Sequence, residues 1–177
     1  MPSDLSKRFF GLVATAFVAV LFSAGGLVAS QCGIPLLPRG SMSLHGRHAG
    51  SMLAEAFETE GFLPNITCLG DILTEDVYTG SYLNGSELTV LAIDQFTQSH
   101  GYSRLTGLET FADDISKLFE NTWGLNDETL FGLAKDELGR LAEAGDPFFM
   151  TVLIVGTHAA DGAFDPAMGS KFPSPEP

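Results

Sequence analysis

Phe148-Phe149-Met150-Thr151-Val152-Leu153-Ile154-Val155, preceded by a long amphipathic segment from Asn126 to Ala144, decides the fold class. The eight residues form a continuous apolar run of strand length and composition, the pattern of a strand buried on both faces. Upstream, Leu130, Phe131, Ala134, Leu138 and Leu141 make an apolar stripe at helical spacing. Asn126 or Asp127 can cap that helix, Glu128 adds favourable first-turn charge, and Gly145 stops it. A long helix feeding a fully apolar strand predicts an α/β domain with a mainly parallel sheet covered by helices. Directly beyond the strand stand Gly156-Thr157-His158, where open α/β sheets bind their ligands. Thr157 and His158 are therefore candidate substrate-binding residues, since a histidine there can donate to an anionic oxygen or move a proton. The competing reading is a loop histidine that satisfies nearby backbone.

Working back along the chain, Val77 to Leu83 reads as a strand stopped by Asn84-Gly85, after a short helix over Cys68 to Asp76. Glu87 to Gln98 places Leu88, Leu91, Ala92, Gln95 and Phe96 on one face of a helix, with Gly101 as its stop. Ser51 to Phe62 reads as a short amphipathic helix ended by Pro64. Gln31 to Gly50, with Pro35, Pro38 and four glycines, reads as an exposed loop on which His45 and His48 face solvent rather than a metal.

The N-terminal stretch is different in kind. After Lys7 and Arg8, Phe9 to Ala29 carries no charged residue, so residues 1–29 are expected to be a signal peptide or a transmembrane anchor and to make the membrane a partner. An ordinary buried helix is the alternative. The remainder divides into a domain over 30–165 and a disordered tail over 166–177, rich in proline. With a net charge of −13 from 22 acidic and 9 basic residues, and no basic cluster after Arg8, nucleic acid is excluded as a partner. Cys32 and Cys68 are the only cysteines. In an exported chain an isolated pair closes into a disulfide; two buried thiols are the alternative. No Gly-rich phosphate loop, paired-histidine zinc helix or paired-cysteine metal motif occurs.

Several stretches, in order, resemble one family. They are Gly26-Leu27-Val28-Ala29-Ser30-Gln31-Cys32-Gly33-Ile34-Pro35-Leu36, Cys68-Leu69-Gly70-Asp71-Ile72-Leu73, Ser99-His100-Gly101-Tyr102, and Trp123-Gly124 with Asn126-Asp127-Glu128-Thr129. The strand ending in Thr157-His158, with Asp161-Gly162, completes the set. From Ser23 to Phe164 the chain is similar to the periplasmic phosphoglycerol transferases that modify membrane-derived glucans, relatives of lipoteichoic acid synthases in the sulfatase and alkaline phosphatase superfamily.

The resemblance implies a partial three-layer domain of that superfamily, preceded by an apolar N-terminal helix and placed at the cell membrane or in the periplasm. It supports the Cys32–Cys68 bridge, because the family carries cysteines at both positions. It also implies a hydroxyl nucleophile aligned with Ser23, a divalent metal (Mn or Mg), and two partners, an anionic glycerophospholipid head group and a periplasmic glucan. His158 matches a histidine that contacts substrate in relatives, while Gly156 and Ala159 stand where the glucan-modifying relatives tend to have Asp and a second His. The family's acidic metal ligand before the nucleophile and its later Asp-His pair have no counterpart in this sequence. The expected metal site is therefore incomplete, and the chain is expected to bind no metal and to be inactive alone. The alternative expectation is an exported, non-catalytic protein that binds glycan or glycerol phosphate.

Overall fold

The computed structural model describes residues 23–35, 62–111, 120–121 and 123–156. In chain order the elements are α1 (Ser23–Cys32), α2 (Leu69–Glu75), β1 (Thr79–Asn84), α3 (Ile93–Ser99), β2 (Tyr102–Thr106), β3 (Glu120–Asn121), β4 (Gly124–Leu125), α4 (Asp127–Ala144) and β5 (Phe148–Leu153). Single 3₁₀ turns at Val90–Ala92 and Leu108–Phe111 link them. The main sheet runs β2-β1-β5 with both pairings parallel, and β3 and β4 form a separate antiparallel pair.

Parallel neighbours need crossovers, and helices supply them: α3 joins β1 to β2, and α4 leads into β5. The side-chain period of two then builds a core on each face of the sheet. Tyr82 joins Leu27 and Val28 of α1, Phe96 of α3, and Phe62, Cys68 and Tyr102 on one side. Its neighbour Leu83 joins Leu130 and Ala134 of α4 on the other. β5 repeats the alternation, with Phe149 and Leu153 against the first cluster and Met150 and Val152 against the second. This is the expected α/β architecture, with helices on both faces of a parallel sheet.

Gly80 fits the same alternation. A Cβ there would run into the Gly101 carbonyl and the Phe149 ring. The missing side chain lets Tyr102 and Phe149, which flank Gly80 on either side, meet edge to face with centroids 5.0 Å apart. The Tyr102 hydroxyl donates to Gln31 Oε1 at 3.0 Å and accepts from Thr151 Oγ1 at 2.7 Å, which joins α1, β2 and β5. Burial pushes the Tyr102 phenol up to about 12.

On the opposite face Glu137 of α4 ties the sheet down. Its carboxylate accepts from Ser81 Oγ at 2.8 Å, Arg104 Nε at 2.9 Å and both Nε and Nη2 of Arg140 at 2.8 Å. The Arg140 guanidinium, helped by Arg104 and Ser81, lowers the Glu137 carboxyl from 4.5 to about 2, against the opposing effect of burial. A folded value below the unfolded one gives stability that is complete above about pH 4.5 and is lost as pH falls towards 2. Both arginines are largely exposed, so solvent screening reduces the contribution to ~1 kcal/mol. Glu137→Gln is expected to lower the unfolding free energy at pH 7 by that amount and to flatten its acid dependence, as denaturant titrations between pH 7 and 2.5 would show.

Several expectations are revised. β5 ends at Leu153 and all six of its residues are only half-buried, because it is an edge of the sheet among the described residues; the strand that is buried, from Gly80 to Asn84, is central β1. Of the α4 stripe, Leu130, Ala134 and Leu141 are buried while Phe131 and Leu138 are exposed, since positions one residue on are rotated about 100° away from the sheet. The helix expected over Glu87 to Gln98 is interrupted at Leu91 and Ala92, whose φ values of 59° and 55° are left-handed; α3 starts only at Ile93.

The largest correction concerns the N-terminal segment. Ser23 to Ala29 belong to α1, which continues to Cys32, and Ala24, Gly25, Leu27 and Val28 are buried within the protein. Side chains packed into this core are not available to lipid, and among the described residues no helix is long and apolar enough to cross a membrane. The membrane contact expected through residues 1–29 is withdrawn on that finding. Gln31 and Cys32, expected in a loop, also belong to α1. Residues 1–22, the proposed helix before Phe62, His45, His48 and the tail over 166–177 lie outside the described residues.

Candidate functional site

Besides the Glu137 cluster, two places among the described residues bear on a site. The first lies beside the disulfide. Cys32 and Cys68 are bonded, which joins the end of α1 to the residue that caps α2. Asp71, in the first turn of α2, turns back so that Oδ2 accepts from the Cys68 N–H at 2.8 Å, and a carboxylate there suits the positive end of a helix. The same oxygen lies 2.8 Å from His100 Nδ1. The other ring nitrogen, Nε2, donates to the Phe62 carbonyl at 3.0 Å. His100 is 3% exposed and stacks obliquely on Phe96 at 4.8 Å.

Donor atoms of Cys68, Asp71 and His100 lie within 4.8 Å of one another, which makes them a candidate divalent-metal cluster by proximity. Their chemistry does not fit the expected metal. Cys68 Sγ is committed to the disulfide and offers no thiolate. Mg and Mn favour oxygen-rich shells of about six ligands, whereas this cluster offers one carboxylate whose inner oxygen already accepts from the Cys68 N–H and lies against His100 Nδ1. Both nitrogens of His100 are engaged. The cluster works as a clamp that fastens Phe62, α2 and the α3–β2 turn together.

The second place is the carboxyl edge of the sheet. β1 leaves at Gly85, whose N–H donates to the Leu153 carbonyl at 3.1 Å and whose carbonyl accepts from the Leu125 N–H at 2.8 Å. Gly124, at φ 140°, lies directly against that carbonyl, an approach that excludes any side chain. Leu125 leads into Asn126, whose Oδ1 caps α4 by accepting from the Thr129 N–H at 2.7 Å. Asp127 then reaches the exit of β5, where its Oδ1 accepts from the Gly156 N–H at 2.8 Å. The exits of β1 and β5 and the start of α4 therefore converge on one edge, with Trp123 exposed beside it.

Thr157 and His158 follow Gly156 in the chain but lie outside the described residues. Ser23 is half-buried at the head of the described part of α1. Sequence reasoning named Asp127 only as a possible helix cap and missed its contact with Gly156, the role of Glu137 and the Asp71–His100 contact. Asp71 and His100 stand 29 positions apart, and the only hint was that both fall in stretches shared with the family.

Comparison with known proteins settles the relationship. The family model described as Sulfatase matches residues 31–175. The chain belongs to the sulfatase family. Within it, the chain is 32% identical over 142 residues to phosphoglycerol transferase I of Escherichia fergusonii and 34% identical over 144 residues to that of Citrobacter koseri. Each match covers 80% of this chain and 17% of the relative, so the sulfatase-family chain spans about a sixth of the length of these curated relatives. A protein of the alkaline phosphatase superfamily from Vibrio parahaemolyticus superposes with a TM-score of 0.58 at 18% identity, over 85% of this chain and 32% of that one. At that identity the superposition speaks for the fold alone, an α/β sulfatase-like domain with a parallel sheet.

Proposed function

We infer that this chain is a phosphoglycerol transferase-like sulfatase domain that binds glycerol phosphate at the carboxyl edge of its sheet and performs no transfer by itself. The observation that carries this reading is the state of the Cys68, Asp71 and His100 cluster, whose donors are held by a disulfide and by one another. Transfer through an alcohol ester on Ser23 would need a metal to lower the hydroxyl pKa and steady the phosphoryl charge. Among the described residues, the Cys68, Asp71 and His100 cluster does not supply a set of ligands for it. Binding needs less: a polar edge with donors such as Thr157 and His158, which follow the exit of β5 in the chain, His158 matching by resemblance a histidine that contacts substrate in relatives.

The ligand class follows from the same similarity, a glycerol phosphate head group with a glycan as its neighbour. The disulfide and the family relationship both favour an extracytoplasmic site of action. Calorimetric titration of the chain with sn-glycerol 1-phosphate in excess chelator tests the reading. Binding is expected to survive chelation and to weaken about tenfold in His158→Ala, close to the loss of one charge-assisted hydrogen bond. No binding by the wild-type chain, or equal binding by His158→Ala, would overturn it.

A further inference from the structure

We propose that opening the Cys32–Cys68 bridge turns the clamp beside it into a zinc site, with both thiolates, His100 Nδ1 and the Asp71 carboxylate as ligands. The site is independent of what the carboxyl edge of the sheet binds. In the oxidised chain the Cys68 sulfur, an Asp71 oxygen and a His100 nitrogen already lie within 4.8 Å of one another, and the sulfur is held in the disulfide. Reduction frees that sulfur and, because Cys32 is its bonded partner, leaves a second thiol at the same spot. Two cysteines, a histidine and a carboxylate make a four-ligand set of the kind tetrahedral zinc takes. Thiolates also turn the preference away from Mg and Mn and towards zinc.

The surroundings are those of a metal-bound histidine. His100 Nε2 donates to the Phe62 carbonyl at 3.0 Å, which fixes the ring and points Nδ1 at Asp71 Oδ2, 2.8 Å away. A metal-ligating imidazole gives its other N–H to a backbone carbonyl in this way. Asp71 Oδ2 also accepts from the Cys68 N–H at 2.8 Å, which ties the carboxylate to the residue that carries the sulfur. Donors on one tetrahedral zinc stand ~3.3–3.8 Å apart, so the cluster needs to rearrange by only about 1 Å. Asp71 is 27% exposed and Cys32 half-buried, which gives an ion a way in.

A dithiol reductant opens the bridge: its electron pair breaks the S–S bond, leaving two thiols on the chain and a disulfide on the reductant. Zinc then displaces both thiol protons and the proton between His100 and Asp71, all of which go to solvent, and two Zn–S bonds, one Zn–N and one Zn–O bond form. Re-oxidation by a disulfide reverses both steps and expels the ion. Bridge and metal thus tie α1 to α2 in alternate redox states.

The full chain, reduced with a dithiol that is then removed without air, is titrated with zinc against a chromophoric chelator and separately with cobalt. One zinc per chain is expected, bound ~100-fold more tightly than by the oxidised chain. Cobalt should show thiolate charge-transfer and tetrahedral d–d absorption, and since Cys32 and Cys68 are the only cysteines, the thiolate band can arise nowhere else. His100→Ala is expected to weaken zinc by about tenfold or more and to shift the d–d bands, while His45→Ala combined with His48→Ala leaves both as in wild type. Should reduction unfold the chain, equimolar zinc is expected to restore its circular dichroism, and to fail to do so in Cys32→Ser combined with Cys68→Ser. Equal zinc affinity of the reduced and oxidised chains overturns the site, as does His100→Ala that keeps wild-type affinity and an unchanged cobalt spectrum. A reduced chain that stays unfolded in zinc overturns it as well.

Discussion

Replacing both cysteines by serine is expected to lower the unfolding free energy by ~4 kcal/mol, the loop-closure value for a bridge between residues 36 apart. Against the ~5–15 kcal/mol typical of a domain, this is a large fraction of the whole. The cost follows from where the bridge lies. Cys68 is 1% exposed in the core that also holds Leu27 and Val28, and it caps α2. Without the covalent tie, α1 is held to the sheet among the described residues by its packing and the Gln31–Tyr102 bond. Urea titration of the oxidised wild type and the double variant checks the figure. A difference under 1 kcal/mol would show that the bridge adds little to contacts already sufficient.

His100→Ala is expected to cost ~3 kcal/mol, because it removes a buried ring from contact with Phe96 and breaks two hydrogen bonds at once. Asp71 is 27% exposed and can turn to water, so Asp71→Asn should cost clearly less. The same experiment separates a clamp from a metal centre. Millimolar manganese is expected to leave the unfolding midpoint of the oxidised chain unchanged, whereas a metal bound only by the folded state would raise it. A metal-dependent rise that disappears in His100→Ala would contradict the clamp.

The fold was legible where local signals and tertiary demands agreed. Asn126 caps α4, Gly145 at φ 81° ends it, and the helix begins within one residue of its expected start. Phe148 opens β5 as its composition requires. β2 was not legible. Ser103 and Arg104 are exposed and Tyr102 is the only deeply buried residue of the five, so no apolar alternation marks the strand; pairing with β1 creates it.

The end of the apolar N-terminal stretch misled for the opposite reason. A charge-free run from Phe9 to Ala29 suits lipid and protein interior equally, and only the burial of Leu27 and Val28 in the core shows which of them Ser23 to Ala29 meet. At the candidate site, position relative to a strand end could be read from sequence. The contacts that shape it could not, since Asp127 meets Gly156 from 29 residues away and His100 meets Asp71 from the same distance.

The proposed function is binding of glycerol phosphate without its transfer. The most direct measurement is release of glycerol phosphate from a phosphatidylglycerol analogue incubated with the oxidised chain, a glucan acceptor and manganese. Release is expected to be no faster than in the protein-free control. Release above that control, abolished by chelator and by Ser23→Ala, would contradict it and make Ser23 a working nucleophile.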